Sequence, residues 1–162
     1  MSAPEGRFTS PDPLMAAAEW GELVAHVWLG AAYDYGLGTR RDRRVALKHY
    51  RAAAEGGNAN AQYHLGVFYH DGTGVRRDYK AAVWWLRKAV KNGDAGAKYL
   101  LGQCYRYGRG VGRNAKKGFQ LQLAAARKGV LEAQFSVGVC LSRGEGINAD
   151  PEQAYRGTGV VP

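Results

Sequence analysis

The side chains with the most chemistry to offer in this sequence are four histidines, two cysteines and a run of spaced glycines. His26, His49, His64 and His70 could ligate a metal as neutral imidazoles, and Cys104 and Cys140 could do so as thiolates. His64 and His70 are six residues apart, which on a helix turns them to different faces. Gly108-x-Gly110-x-Gly112 has the outline of a dinucleotide-binding loop, but no strand-like run precedes it. There is no Gly-x-Ser-x-Gly elbow, no His-Glu-x-x-His helix and no phosphate-loop lysine motif. The sequence therefore assigns no catalytic residue, no metal ligand and no cofactor.

The glycines have a different explanation, which is periodicity. Gly30, Gly66, Gly102 and Gly138 are spaced by 36 residues, and so are Ala25, Ala61, Ala97 and Ala133. The pairs Gly36 and Gly38, Gly72 and Gly74, Gly108 and Gly110, and Gly144 and Gly146 keep the same step. Gly21, Gly57, Gly93 and Gly129 do too. So many columns in one register define a repeat protein. The Gly-x-Gly of the third copy is then a recurring turn.

Each unit reads as two helices. Ala61, Leu65, Phe68 and Tyr69 form one stripe of a first helix, and Ala82, Trp85, Leu86 and Ala89 form one stripe of a second. Gly72-Thr73-Gly74 ends the first helix, and Asp42, Asp78, Asn114 and Asp150 supply N-caps for the second. Small Ala61 and Gly66 let a neighbouring helix approach, which is the reason a helix-interior glycine is retained. His49 and Leu121 stand in the column of Trp85. Cys104 and Cys140 share a column with Phe68 and Ala32. Equivalent helices in adjacent units lie about 8–10 Å apart, whereas a disulfide needs Cα atoms within about 7 Å. Both thiols are thus expected free and buried.

The motif from Leu65-Gly66-x-x-Tyr69 through Gly72-x-Gly74-Val75, Asp78, Ala82, Trp85 and Ala89 to Gly93 resembles the Sel-1-like repeat, a relative of the tetratricopeptide repeat. The resemblance covers about residues 14 to 155. It implies an all-α fold, a right-handed α-solenoid of stacked helix–turn–helix repeats, and an adaptor or scaffold that binds other proteins. Some such relatives bind β-lactams, but no Ser-x-x-Lys is present for a serine mechanism. Others carry disulfides within each repeat, and the paired cysteines for that are lacking. The organisation expected is a flexible N-terminus over 1–13 and a partial repeat forming a cap helix over 14–22. Full repeats follow at 23–58, 59–94 and 95–130, and then an incomplete fourth with a frayed C-terminus over 131–162. That last end is a candidate for self-association, because a solenoid end without a cap leaves its seam open.

Composition agrees with one folded domain: 46% of the 162 residues are apolar and 23% are charged. No apolar run approaches the ~20 residues of a membrane span. The first thirteen residues lack the basic start and apolar stretch of a signal peptide, so a cytoplasmic location is expected. The net charge of +9 favours acidic partners.

Two surfaces are candidates for binding. The first is the side of the first helices turned from the core, whose columns vary between copies. It contains Trp28 and Tyr35, then His64, Val67 and Asp71, then Leu100, Gln103 and Tyr107, then Ser136 and Arg143. Trp28, Tyr35 and Tyr107 either project as anchors or pack between units. The second is a basic ridge at the turns before the second helices: Arg40, Arg41, Arg43 and Arg44, then Arg76, Arg77 and Lys80, then Arg113, Lys116 and Lys117. It reads as a surface for an acidic protein segment or a nucleic-acid backbone, or as a solvated edge. The main expectation is a groove that holds a peptide or partner domain, and the alternative is nucleic-acid association through the ridge.

Overall fold

The structure is a computed structural model and describes residues 21–147. Among these lie seven α-helices and no strand. They are α1 (Glu22–Tyr35), α2 (Arg43–Glu55), α3 (Ala59–Asp71), α4 (Tyr79–Lys91), α5 (Ala95–Tyr107), α6 (Ala115–Arg127) and α7 (Leu131–Arg143). The odd-numbered helices are the first helices of successive units and the even-numbered ones the second. Among the described residues α1, α3 and α5 pack most extensively on the second helix of their own unit, each second helix packs next on the following unit, and α3 also touches α5 directly. That nearest-neighbour order makes the chain an α-solenoid.

The turn chemistry is repeated atom for atom. Gly36, Gly72, Gly108 and Gly144 all sit in the left-handed region with φ near 70°, where a Cβ is penalised. Each donates its N–H back to the first helix, as Gly72 does to the Phe68 carbonyl at 2.9 Å. The chain then returns: the N–H groups of Asp42, Asp78 and Asn114 donate to the carbonyls of Tyr33, Tyr69 and Tyr105 at 2.9, 2.9 and 2.8 Å. Having docked there, the same three residues cap the second helix. Asp42 accepts from Arg44 and Val45, Asp78 from Ala81, and Asn114 from Lys117. One residue thus closes the turn with its backbone and starts the next helix with its side chain.

The core falls into three clusters that succeed one another along the stack. Ala61, Leu65, Phe68, Ala82, Trp85, Leu86 and Ala89 are buried, as their stripes require. The first-helix glycines leave room for particular side chains. A Cβ on Gly30 would lie 2.7 Å from the Tyr50 ring, and one on Gly66 would lie 2.6 Å from Leu86 Cδ2. Both cysteines are buried and free. Burial pushes both thiols above their usual range, Cys104 to about 11. The expected cap helix over 14–22 and the frayed C-terminus, with the Asp150 cap, fall almost wholly outside the described residues; only the Gly21–Glu22 start of α1 is seen.

Candidate partner-binding surface

The side of a first helix turned from the core is not uniform along its length, and the structure separates its middle from its end. In the column of Trp28, His64, Leu100 and Ser136, the last three face the second helix of the preceding unit. His64 stacks on Tyr50 of α2 with ring centroids 4.5 Å apart, and Leu100 packs against the cluster containing Val83 and Leu86 of α4. Ser136 is 6% exposed and donates to the Gln122 side chain at 2.9 Å. Trp28 is half-buried. This corrects the expectation for the column. Ser136 is a seam residue out of a visitor's reach, and Trp28, His64 and Leu100 present only part of their surface. The reason is position along the helix: residues seven apart share a face to within about 20°, but this column lies where the preceding second helix crosses, as α2 does at His64 and α6 at Ser136. Burial also lowers the pKa values of His64 and, with the neighbouring His26 adding to it, of His49.

The C-terminal end of the same side stays open. Val67 and Gln103 are half-buried, whereas Tyr35, Asp71, Tyr107 and Arg143 are all exposed, Tyr35 at 58% and Tyr107 at 52%. Each of these four is the last residue of its helix, immediately before the left-handed glycine. No further helical turn covers them, so they project at the edge where the turns begin.

That edge is also where the basic residues lie. Arg40, Arg41, Arg43, Arg44, Arg76, Arg77, Lys80, Arg113, Lys116 and Lys117 are all exposed. Four of them have partners. Arg43 pairs with Asp34 at 3.3 Å, Arg77 donates to the Tyr79 hydroxyl at 3.1 Å, Arg113 to the Arg106 carbonyl at 3.2 Å, and Lys117 lies 4.6 Å over the Tyr105 ring. Arg87 donates to the Tyr105 hydroxyl at 2.9 Å, and that bond, more than the added Lys117 charge, holds the phenol below its usual pKa.

Between the second and third units the two features merge. His70 meets Asp71 at 2.7 Å and Arg109 at 3.3 Å. The Arg109 guanidinium lies 5.1 Å from the Tyr107 ring and 5.7 Å from the Tyr79 ring. Asp71, His70, Arg109, Tyr107 and Tyr79 are therefore one connected surface across two repeats. His70, Tyr79 and Arg109 were not singled out from the sequence as partner-binding. Tyr79 stands where the other units have Arg43, Ala115 and Pro151, and that departure was the available signal.

Further along, Arg106 is buried and is held by Glu145 and, at 3.3 Å, by Ser136 Oγ. Among the described residues no group of three or more His, Cys, Asp or Glu side chains could hold a metal, and no helix is long and apolar enough to cross a membrane.

The family model of the Sel1 repeat matches four times, at residues 23–58, 59–94, 95–130 and 131–156. The chain belongs to the Sel1 repeat family. Sel1 repeats generally serve in protein–protein interaction. Among solved structures, the chain is similar to a Sel1 repeat protein from Oxalobacter formigenes. The two are 34% identical with a TM-score of 0.81, over 88% of this chain and 58% of that one. It is equally similar to a protective antigen of uropathogenic Escherichia coli that displays an SLR fold. There the identity is 34% and the TM-score 0.80, over 88% of this chain and 31% of that one. The chain thus spans less than two thirds of either protein. No curated protein matches it.

Proposed function

We propose that this Sel1 repeat protein is an adaptor that holds a peptide or partner domain along the open side of its first helices. Tyr35, Asp71, Tyr107 and Arg143 make the outer contacts, with Val67 and Gln103 behind them. Trp28, His64 and Leu100 contribute only their uncovered edges. The observation that carries the reading is the exposure of Tyr35 and Tyr107, at 58% and 52%, in one column two repeats apart. Exposed tyrosines at matched positions are the residue type that dominates binding energies at protein interfaces. The reading assigns the chain no turnover.

The test is capture of partners from the native host on immobilised protein, followed by binding of the purified partner. Tyr35→Ala with Tyr107→Ala should weaken that binding by about thirtyfold or more, at about 2 kcal/mol for a central aromatic anchor. Circular dichroism and the urea midpoint should be unchanged. Unaltered affinity would move the binding surface off this column.

A further inference from the structure

An open cleft of about 730 Å³ lies at the basic edge, lined by Tyr69, Val75, Arg76, Arg77, Asp78, Tyr79, Lys80 and Gly110. Its walls are fixed. Gly110 presses on the backbone of Tyr79 so closely that a Cβ there would lie 2.3 Å from the Tyr79 carbonyl oxygen. The Tyr69 hydroxyl is tied to Arg51 of α2 at 2.5 Å. The Tyr79 ring is flanked by the Arg77 and Arg109 guanidiniums, 5.6 and 5.7 Å from its centroid, and meets His70 edge-on at 5.3 Å.

The charges in this cleft are unmatched. Arg76 and Lys80 have no side-chain partner among the described residues, and Arg77 spends one N–H on Tyr79. The one carboxylate, Asp78, caps α4 through the Ala81 N–H at 3.0 Å and offsets only one of the three positive charges of Arg76, Arg77 and Lys80. The start of α4 adds the positive end of its dipole to the same place. A planar guanidinium offers five N–H donors in a fork that matches a carboxylate, and Tyr79 offers a flat apolar floor beside it.

We propose that this cleft binds an acidic segment of the protein partner. Carboxylates of the segment meet Arg76, Arg77 and Lys80, and its chain lies across Tyr79. The inference rests on the protein-binding reading and adds where the partner's acidic part docks. Continuity supports it, because Tyr79 is joined through Arg109 to Tyr107, and through His70 to Asp71, on the groove side. The site is particular to the second unit, since the equivalents of Tyr79 are Arg43, Ala115 and Pro151. A nucleic-acid strand would instead engage the unpaired cations of every turn alike.

The test uses the full chain and a fluorescein-labelled oligoglutamate peptide, read by anisotropy. Saturable binding is expected. Arg76→Glu with Lys80→Glu should weaken it by about tenfold or more. Arg40→Glu with Arg41→Glu makes the same charge change at the first turn, away from the cleft, and should weaken it by about threefold at most. Tyr79→Ala should lower affinity without changing its dependence on salt. Equal losses from the two charge-reversal pairs would overturn the proposal, since general attraction would then account for binding. Displacement of the peptide by oligothymidine, with Arg40→Glu and Arg41→Glu weakening the oligothymidine as much as the cleft pair does, would overturn it in favour of nucleic acid. Absence of peptide binding, while Tyr35→Ala with Tyr107→Ala still abolishes partner capture, overturns the cleft alone. Failure of both arms overturns the cleft and the groove together.

Discussion

Three glycines separate two costs that usually arrive together. Gly112 has an ordinary φ, and a Cβ added there would meet nothing within 4 Å, so Gly112→Ala should be neutral or stabilising by up to about 1 kcal/mol through the unfolded chain. Gly93 also has nothing within 4 Å but sits at φ 92°, so Gly93→Ala should show the backbone cost alone, about 1–2 kcal/mol. Gly110 combines φ 73° with a Cβ that would lie 2.3 Å from the Tyr79 carbonyl oxygen and 2.5 Å from its carbon. Both are backbone atoms that cannot rotate away, so the turn of the third unit must lift off the start of α4. Overpacking of that kind adds about 1–3 kcal/mol, for a total of about 2–5 kcal/mol. Urea melts of the three variants, followed by circular dichroism, should therefore give midpoints that fall in the order Gly112→Ala, Gly93→Ala, Gly110→Ala. Because the damaged joint lies between units, Trp84 and Trp85 fluorescence should report the loss of coupling in the second unit. If Gly110→Ala and Gly93→Ala melt within about 0.5 kcal/mol of each other, the tight docking of each turn on the preceding second helix is not a source of stability.

Two further outcomes follow from burial. Cys104, raised to about 11, and Cys140, also raised, should not react with an aromatic disulfide reagent in the native protein near neutral pH, yet both should react in urea; prompt native reaction would mean the seams open readily. The lowered pKa values of His49 and His64 mean that the unfolded chain binds more protons once pH falls below about 6.5, so the stability they allow is present above that value and lost beneath it. His64→Gln should flatten this fall of the urea midpoint, and a midpoint that stays constant through the ordinary histidine range would contradict it.

The framework of the fold was legible because its rules are local. A left-handed glycine, an N-cap aspartate and a stripe of apolar residues each act within a few positions, and each recurs every 36 residues. The direction a helix faces is not local in that sense. Ser136 and Arg143 occupy the same helix and looked equally free, yet one is sealed against Gln122 and the other is exposed. What separates them is where α6 crosses α7, and periodicity within α7 holds no information about that crossing. Arg106 is the sharper example. An arginine is rarely buried, and the acid that makes its burial tolerable, Glu145, lies 39 residues away in the turn of the next unit.

That distance bears on how the surface works. Arg106 to Glu145 and Arg109 to His70 are both separated by 39 residues, so each contact ties one unit to the turn of its neighbour. The groove residue Asp71 and the cleft residue Tyr79 therefore do not belong to one repeat acting alone. His70 touches both, and its other contact comes from Arg109 in the following unit. The Arg109 guanidinium flanks both the Tyr107 and the Tyr79 rings. The apolar seams repeat and fix the spacing between units. The polar contacts at the edge repeat in place but not in kind: His70 to Arg109 recurs one unit later as Arg106 to Glu145, and each joins two adjacent turns.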